Sequence, residues 1–176
     1  MKRLLATYNS WALTGARLAL AVVMFAHGAQ KMLGWFGGNG FTGTMGFFTS
    51  QGIPAPFAFL AIAAEFFGSL GLFVGLLGRV AAFGIFCNMV VAILAVHAPN
   101  GFFMNWFGKK AGEGYEYHLL AIGLAVAIMI GGSGAASIDR APPDRGRQVS
   151  RVSARSIDAA PLPPIMIATA SPIASR

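Results

Sequence analysis

The sequence predicts an all-α fold, a bundle of four transmembrane helices with both termini in the cytoplasm. Three observations predict it. Four stretches are apolar and long enough to cross about 30 Å of hydrocarbon at ~1.5 Å per residue. Only 11% of the 176 residues are charged while 56% are hydrophobic, whereas about a quarter of a soluble domain is charged. The few Lys and Arg residues are also spread unequally among the connections between those stretches. A soluble chain of this size would have too little interior to bury so much apolar surface, and lipid supplies what the interior lacks.

The first span is expected over residues 12–33, containing LALAVVMFAHGA. The second, 57–77, reads FAFLAIAAEFFGSLGLFVGLL, with Pro54 and Pro56 ending the preceding loop where a first helical turn tolerates proline. The third, 80–98, reads VAAFGIFCNMVVAILAVHA and is separated from the second by Gly78 and Arg79 alone, which predicts a tight antiparallel pair. The fourth runs over about 117–136, centred on LLAIGLAVAIMIGG.

Lys2 and Arg3 precede the first span, Arg79 lies between the second and third, and five arginines from Arg140 to Arg155 follow the fourth. The opposite connections carry Lys31, Lys109 and Lys110. Positively charged connections stay inside, so residues 34–56 and 99–116 are expected outside. Trp11, Trp35, Trp106 and Tyr117 stand near span ends, where amphipathic rings anchor at the interface. Arg17 interrupts the first apolar run, which is also longer than a signal-peptide core, so a retained helix is preferred over a cleaved leader.

The chain divides into a membrane domain, residues 1–140, and a Pro-, Ser- and Arg-rich cytoplasmic tail, residues 141–176, whose composition predicts disorder. Of the thirteen Lys and Arg residues behind the net charge of +7, five lie between Arg140 and Arg155 and one more is Arg176, and a basic segment beside a membrane suits anionic lipid. No basic surface alternates with aromatics, so nucleic acid is not an expected partner. The single cysteine, Cys87, excludes an internal disulfide or dithiol exchange.

The informative residues are those that are expensive in hydrocarbon. Arg17, His27, Lys31, Glu65 and Asn88 fall inside or at the ends of the spans; Gln30, His97, Glu116 and His118 cluster near the outer boundary. Arg17 and Glu65 have opposite signs, with about 10 Å of helical rise between their levels, and are expected to share a polar network. Arg17, Met24, Gly28 and Lys31 occupy one face of the first helix with His27 at its edge, while Glu65, Gly68, Gly71 and Gly75 form a small-residue stripe that permits close approach. On an ideal wheel Asn88 and His97 point to opposite sides of the third helix. No close ligand spacing among the three histidines selects a metal. Two readings stay open: a static bundle in which polar residues fix helix register, and a polar pocket for a quinone head group or a small solute.

These residues resemble the signature of the DoxX family of small four-helix membrane proteins, over about residues 12–140. The resemblance rests on Arg17, HGAQK from His27 to Lys31, GWFGGNGF from Gly34 to Phe41, GIPAP from Gly52 to Pro56, Glu65, GLLGR from Gly75 to Arg79, and GGSGAASID from Gly131 to Asp139. It implies that Arg17, Gly28, Lys31, Glu65 and Arg79 match the family's recurring positions. It further implies a bacterial plasma (inner) membrane location and a small subunit of a membrane oxidoreductase or redox-stress complex. A quinone is the implied cofactor and a membrane or soluble redox enzyme the implied partner. The alternative is a non-catalytic scaffold or small-solute transporter. The sequence fixes neither catalysis, nor an electron donor, nor the oligomeric state.

Overall fold

The computed structural model describes residues 5–140, all of whose regular structure is helical. The tail expected over 141–176, and Lys2 and Arg3, lie outside the described residues. Five α-helices follow in order: α1 Trp11–Leu33, α2 Gly40–Ser50, α3 Ala55–Val74, α4 Gly78–Ala92 and α5 Glu116–Gly131. The helical run of α4 continues through a π-turn, Ile93–His97, and a 3-10 turn, Ala98–Asn100.

Three helical runs, Trp11–Leu33, Ala55–Val74 and Gly78–Asn100, are long and apolar enough to cross a membrane. This makes the chain an integral membrane protein whose outward apolar side chains, such as Val22, Phe67, Val80 and Ile130, face lipid. The fourth apolar helix, Glu116–Gly131, has 16 residues, about 24 Å of rise, and is shorter than the expected 117–136. It stops because Gly132 takes φ 80°, a left-handed backbone that turns the chain back under the bundle.

Local chemistry explains the helix ends. Ser10 caps α1 by accepting from the Leu13 N–H, and Gly34, at φ 74°, closes it. Pro56 sits in the first turn of α3, where its missing N–H is harmless. The α3–α4 connection is Gly75–Leu77; Gly78 and Arg79, expected to form the turn, already belong to α4. Leu77 is held at φ 52°, an unfavourable conformation for a side-chain-bearing residue.

The core lies between α1, α3, α4 and α5 and is built from Leu20, Met24, Leu72, Ile85, Ala125 and Ile128, each at most 2% exposed. Close helix approach requires Gly28: a Cβ there would lie 2.7 Å from the Phe66 backbone of α3. The α3 small-residue stripe meets α4 instead, with Gly68 and Gly71 against Ala81. Two further features differ from the sequence expectation. Residues 34–56 are not a plain loop but contain α2, packed beside α1 and α3. Residues 132–135 are non-helical yet buried, and return beneath α1 with Ala135 N–H donating to Ser10 O at 3.1 Å.

Candidate functional site

The costly charges fall into two separate networks at opposite ends of the bundle. At the end that carries residues 5–10 and 132–140, Arg17 is 2% exposed. Its guanidinium donates to the backbone oxygens of Leu72, Phe73 (2.9 Å) and Ala136 (2.6 Å). The first two lie in the last turn of α3, where partial negative charge collects, and Leu72 O also accepts from the Gly75 N–H at 3.2 Å. Arg79 does the same for α5, donating to Met129 O at 2.7 Å and to Ala6 O at 3.0 Å. Asp139 supplies the complement: its carboxylate accepts from the N–H groups of Leu77 and Gly78 at the start of α4, and from the buried Ser133 hydroxyl at 2.6 Å. Arg17 therefore does not pair with Glu65. A guanidinium can neutralise carbonyl dipoles as well as carboxylates, and the return segment 132–140 brings such carbonyls to it.

At the other end, the Lys31 ammonium donates to Glu65 Oε2 in an ion pair, and Asn88 Nδ2 donates to Glu65 Oε1 at 2.6 Å. Glu65 is 3% exposed and Lys31 26%, so the carboxylate is shielded while the ammonium reaches the wet boundary. Three helices thus converge on one carboxylate. Gly28 decides the first contact, because only its missing side chain lets α1 bring Lys31 to the α3 backbone.

His27 lies one turn before Lys31, its ring 5.6 Å from Tyr117 of α5. The His97 and His118 rings approach to 4.1 Å. Asn88 and His97, expected on opposite faces, therefore border the same space. The intervening π-turn holds more residues per turn than an α-helix and swings His97 toward α5. Gln30 stands apart, donating to Phe36 O at 3.2 Å. Glu116 organises the connection before α5, accepting from Met104 N–H and Trp106 Nε1. Glu113, which the sequence reading passed over, accepts from Asn105 N–H at 2.7 Å and offers its backbone oxygen to His97 Nδ1 at 2.8 Å.

These groups surround a cavity of about 1500 Å³ between α3 and α4. Phe47 and Phe48 of α2 and Phe102 and Trp106 of the following connection wall its loop end, and Glu65 and Asn88 stand inside. Ligand pockets commonly occupy about 300–1,000 Å³. The lining is chiefly aliphatic and aromatic with a few convergent polar groups, a composition suited to an apolar molecule with one polar end. Among the described residues, no three His, Cys, Asp or Glu side chains converge to hold a metal ion.

The residues sequence reasoning missed are Asp139, Ser133 and Glu113. A signal existed for Asp139, an acid directly after the glycine-rich GGSGAASI run, but its partner, the N-terminus of α4, is 61 residues earlier.

Comparison with known proteins adds a family match: the model described as DoxX matches residues 12–98, a stretch that takes in α1 to α4, Gly28, Lys31, Glu65 and Asn88. No curated protein and no solved structure matches the chain.

Proposed function

The chain belongs to the DoxX family, and from that premise we propose that it is a small subunit of a membrane oxidoreductase complex that holds a quinone in the α3–α4 cavity. The supporting observation is a large apolar cavity with the Lys31–Glu65–Asn88 cluster inside it. A quinone combines an apolar body with carbonyl oxygens that accept hydrogen bonds. Lys31 has three N–H donors and uses one on Glu65, so it can hold such an oxygen. Glu65 then takes or returns a proton beside it, and Phe47, Phe48 and Phe102 exclude water. When bound, the quinone supplies the electron chemistry, with a partner enzyme as electron donor.

The same proposal places the protein in a bacterial inner membrane with cytoplasmic termini and α5 as a fourth span. Support for that span comes from its two ends. His118 lies beside His97 at the far end of the α4 run, and Gly131 O accepts from Tyr8 N–H just before α1. Residues 132–136 then fold back against α1 as non-helical chain, which membrane depth tolerates when protein satisfies the backbone. Here Thr7 Oγ1, Ser10 O and Thr14 Oγ1 do so.

The test is titration of the purified protein in lipid nanodiscs with a short-chain quinone, read by quenching of Trp106 fluorescence. Saturable quenching, weakened at least about tenfold in Lys31→Met, a loss of ~1.4 kcal/mol, is expected. Absence of saturable binding in wild type would overturn the proposal. It would favour the scaffold reading instead, which draws on the mutual satisfaction of Lys31, Glu65 and Asn88.

A further inference from the structure

Four ring side chains between the cavity mouth and Glu65 have no part in holding the helices together by hydrogen bonds to one another. His97, half-buried, lies at the boundary with its Nδ1 on the backbone oxygen of the exposed Glu113. The ring of His118, a residue 5% exposed, is 4.1 Å from that of His97. The Tyr117 ring follows at 5.1 Å from His118, and His27 at 5.6 Å from Tyr117. One turn further along α1, Lys31 meets Glu65. Both the Tyr117 hydroxyl and His118 Nδ1 are buried with no hydrogen-bond partner among the described residues. Buried polar groups are ordinarily satisfied, and an unpaired one in a native fold calls for a functional or solvent explanation. Two in succession, within a file of groups that each accept and release protons, share one explanation.

We infer that His97, His118, Tyr117 and His27 form a proton path that connects the aqueous surface at residues 101–115 with Glu65. The ring centroids stand 4.1–5.6 Å apart, so neighbouring rings are packed together and rotation of a ring re-aims its polar atoms from one neighbour to the next. Access is one-sided. Beyond Glu65 toward the opposite end of the bundle, the interior is the fully buried apolar layer of Met24, Leu72, Ile85 and Ile128. Ser69, the polar side chain within it, is occupied with Phe66 O at 2.7 Å. Lys31 from α1 and Asn88 from α4 touch Glu65, and His27 from α1 and Tyr117 from α5 line the same cavity. Of these, Lys31 holds its proton in the ion pair at the boundary, while His27 and Tyr117 lead on to His118 and His97. The inference rests on the reading that Glu65 carries a proton in the cavity, but not on the identity of the ligand.

The experiment uses the full chain, uniformly oriented in lipid vesicles and free of quinone. The infrared carbonyl band of protonated Glu65, assigned by its loss in Glu65→Gln, is followed after a pH jump applied to one side. Acidification on the side of residues 101–115 should protonate Glu65 rapidly, and acidification on the opposite side should not. His118→Phe should slow the rate about 100-fold, the low end of what a positioned acid–base group contributes, with the final amplitude unchanged. His97→Gln at the half-exposed mouth provides a second variant, and external imidazole should restore much of its rate. A packing role alone would alter amplitude or stability and leave no imidazole rescue. Equal rates from the two sides, wild-type rates in both variants, or a Glu65 band that never changes between roughly pH 4 and pH 9 would each overturn the path. Quinone binding measured separately distinguishes failure of the path from failure of the quinone reading.

Discussion

Arg17 and Glu65 have opposite charges and are both almost fully buried, yet substitutions at the two should add. Arg17→Met keeps most of the stem and removes three hydrogen bonds to backbone oxygens. Bonds from a charged donor contribute about 1.5–3 kcal/mol each. Water entering at the bundle end recovers part of that, so a loss of roughly 3–5 kcal/mol is expected, as for other broken buried charge contacts. Glu65→Gln keeps an acceptor for Asn88 but sets an amide against Lys31, which is 26% exposed and can turn toward the boundary. Its loss should be about 1–3 kcal/mol. Glu65 and Leu72, the Arg17 partner on α3, are separated by about 10 Å of helical rise, and the two networks share no side chain. Reversible unfolding of wild type, both single variants and the double variant in one detergent should therefore give an interaction energy within ~0.5 kcal/mol of zero. The parallel cycle of Lys31→Met with Glu65→Gln should show coupling of about 0.5–3 kcal/mol. Coupling above ~1 kcal/mol between Arg17 and Glu65, against the additivity expected at such separation, would refute the division into two networks.

Gly28→Ala should force α1 away from α3, because its Cβ would lie 2.7 Å from the Phe66 backbone; a loss of about 1–3 kcal/mol in the same unfolding assay, with weakened quinone quenching, is expected. Asp139→Ala removes the acceptor for two N–H groups at the start of α4 and should lower stability by about 0.5–2 kcal/mol, without altering quinone binding at the other end. Single cysteines placed at residues 45 and 150 in a Cys87-free background should be labelled from outside and inside respectively; the reverse pattern would invert the proposed topology. Truncation after Arg140 should preserve the thermal melting profile, and a large drop would show that residues 141–176 stabilise the bundle.

Much of this protein is determined by the sequence alone, because hydrocarbon imposes a requirement that can be read locally. Long apolar runs in α1, α3 and α4 must satisfy their backbones as helices, and a residue such as Glu65 or Lys31 within them stands out by its desolvation cost. Capping residues and glycines, Ser10, Gly34 and Pro56 among them, place the helix ends through neighbouring atoms. The choice of partner is different. Charge and helical level made Arg17 a plausible mate for Glu65, but the 132–140 segment and the end of α3 offer Arg17 backbone oxygens instead, and Gly28 delivers Lys31 to Glu65. Neither contact has a sequence period, because each joins residues far apart in the chain. The π-turn that carries His97 toward His118 shifts the face of a continuous apolar run without changing its hydropathy, and α2 hides in a glycine-rich stretch with weak helical propensity. Composition and local backbone chemistry thus determine which segments are helical. Packing between distant segments decides which polar groups meet, since that depends on where side chains are missing and where the chain turns back.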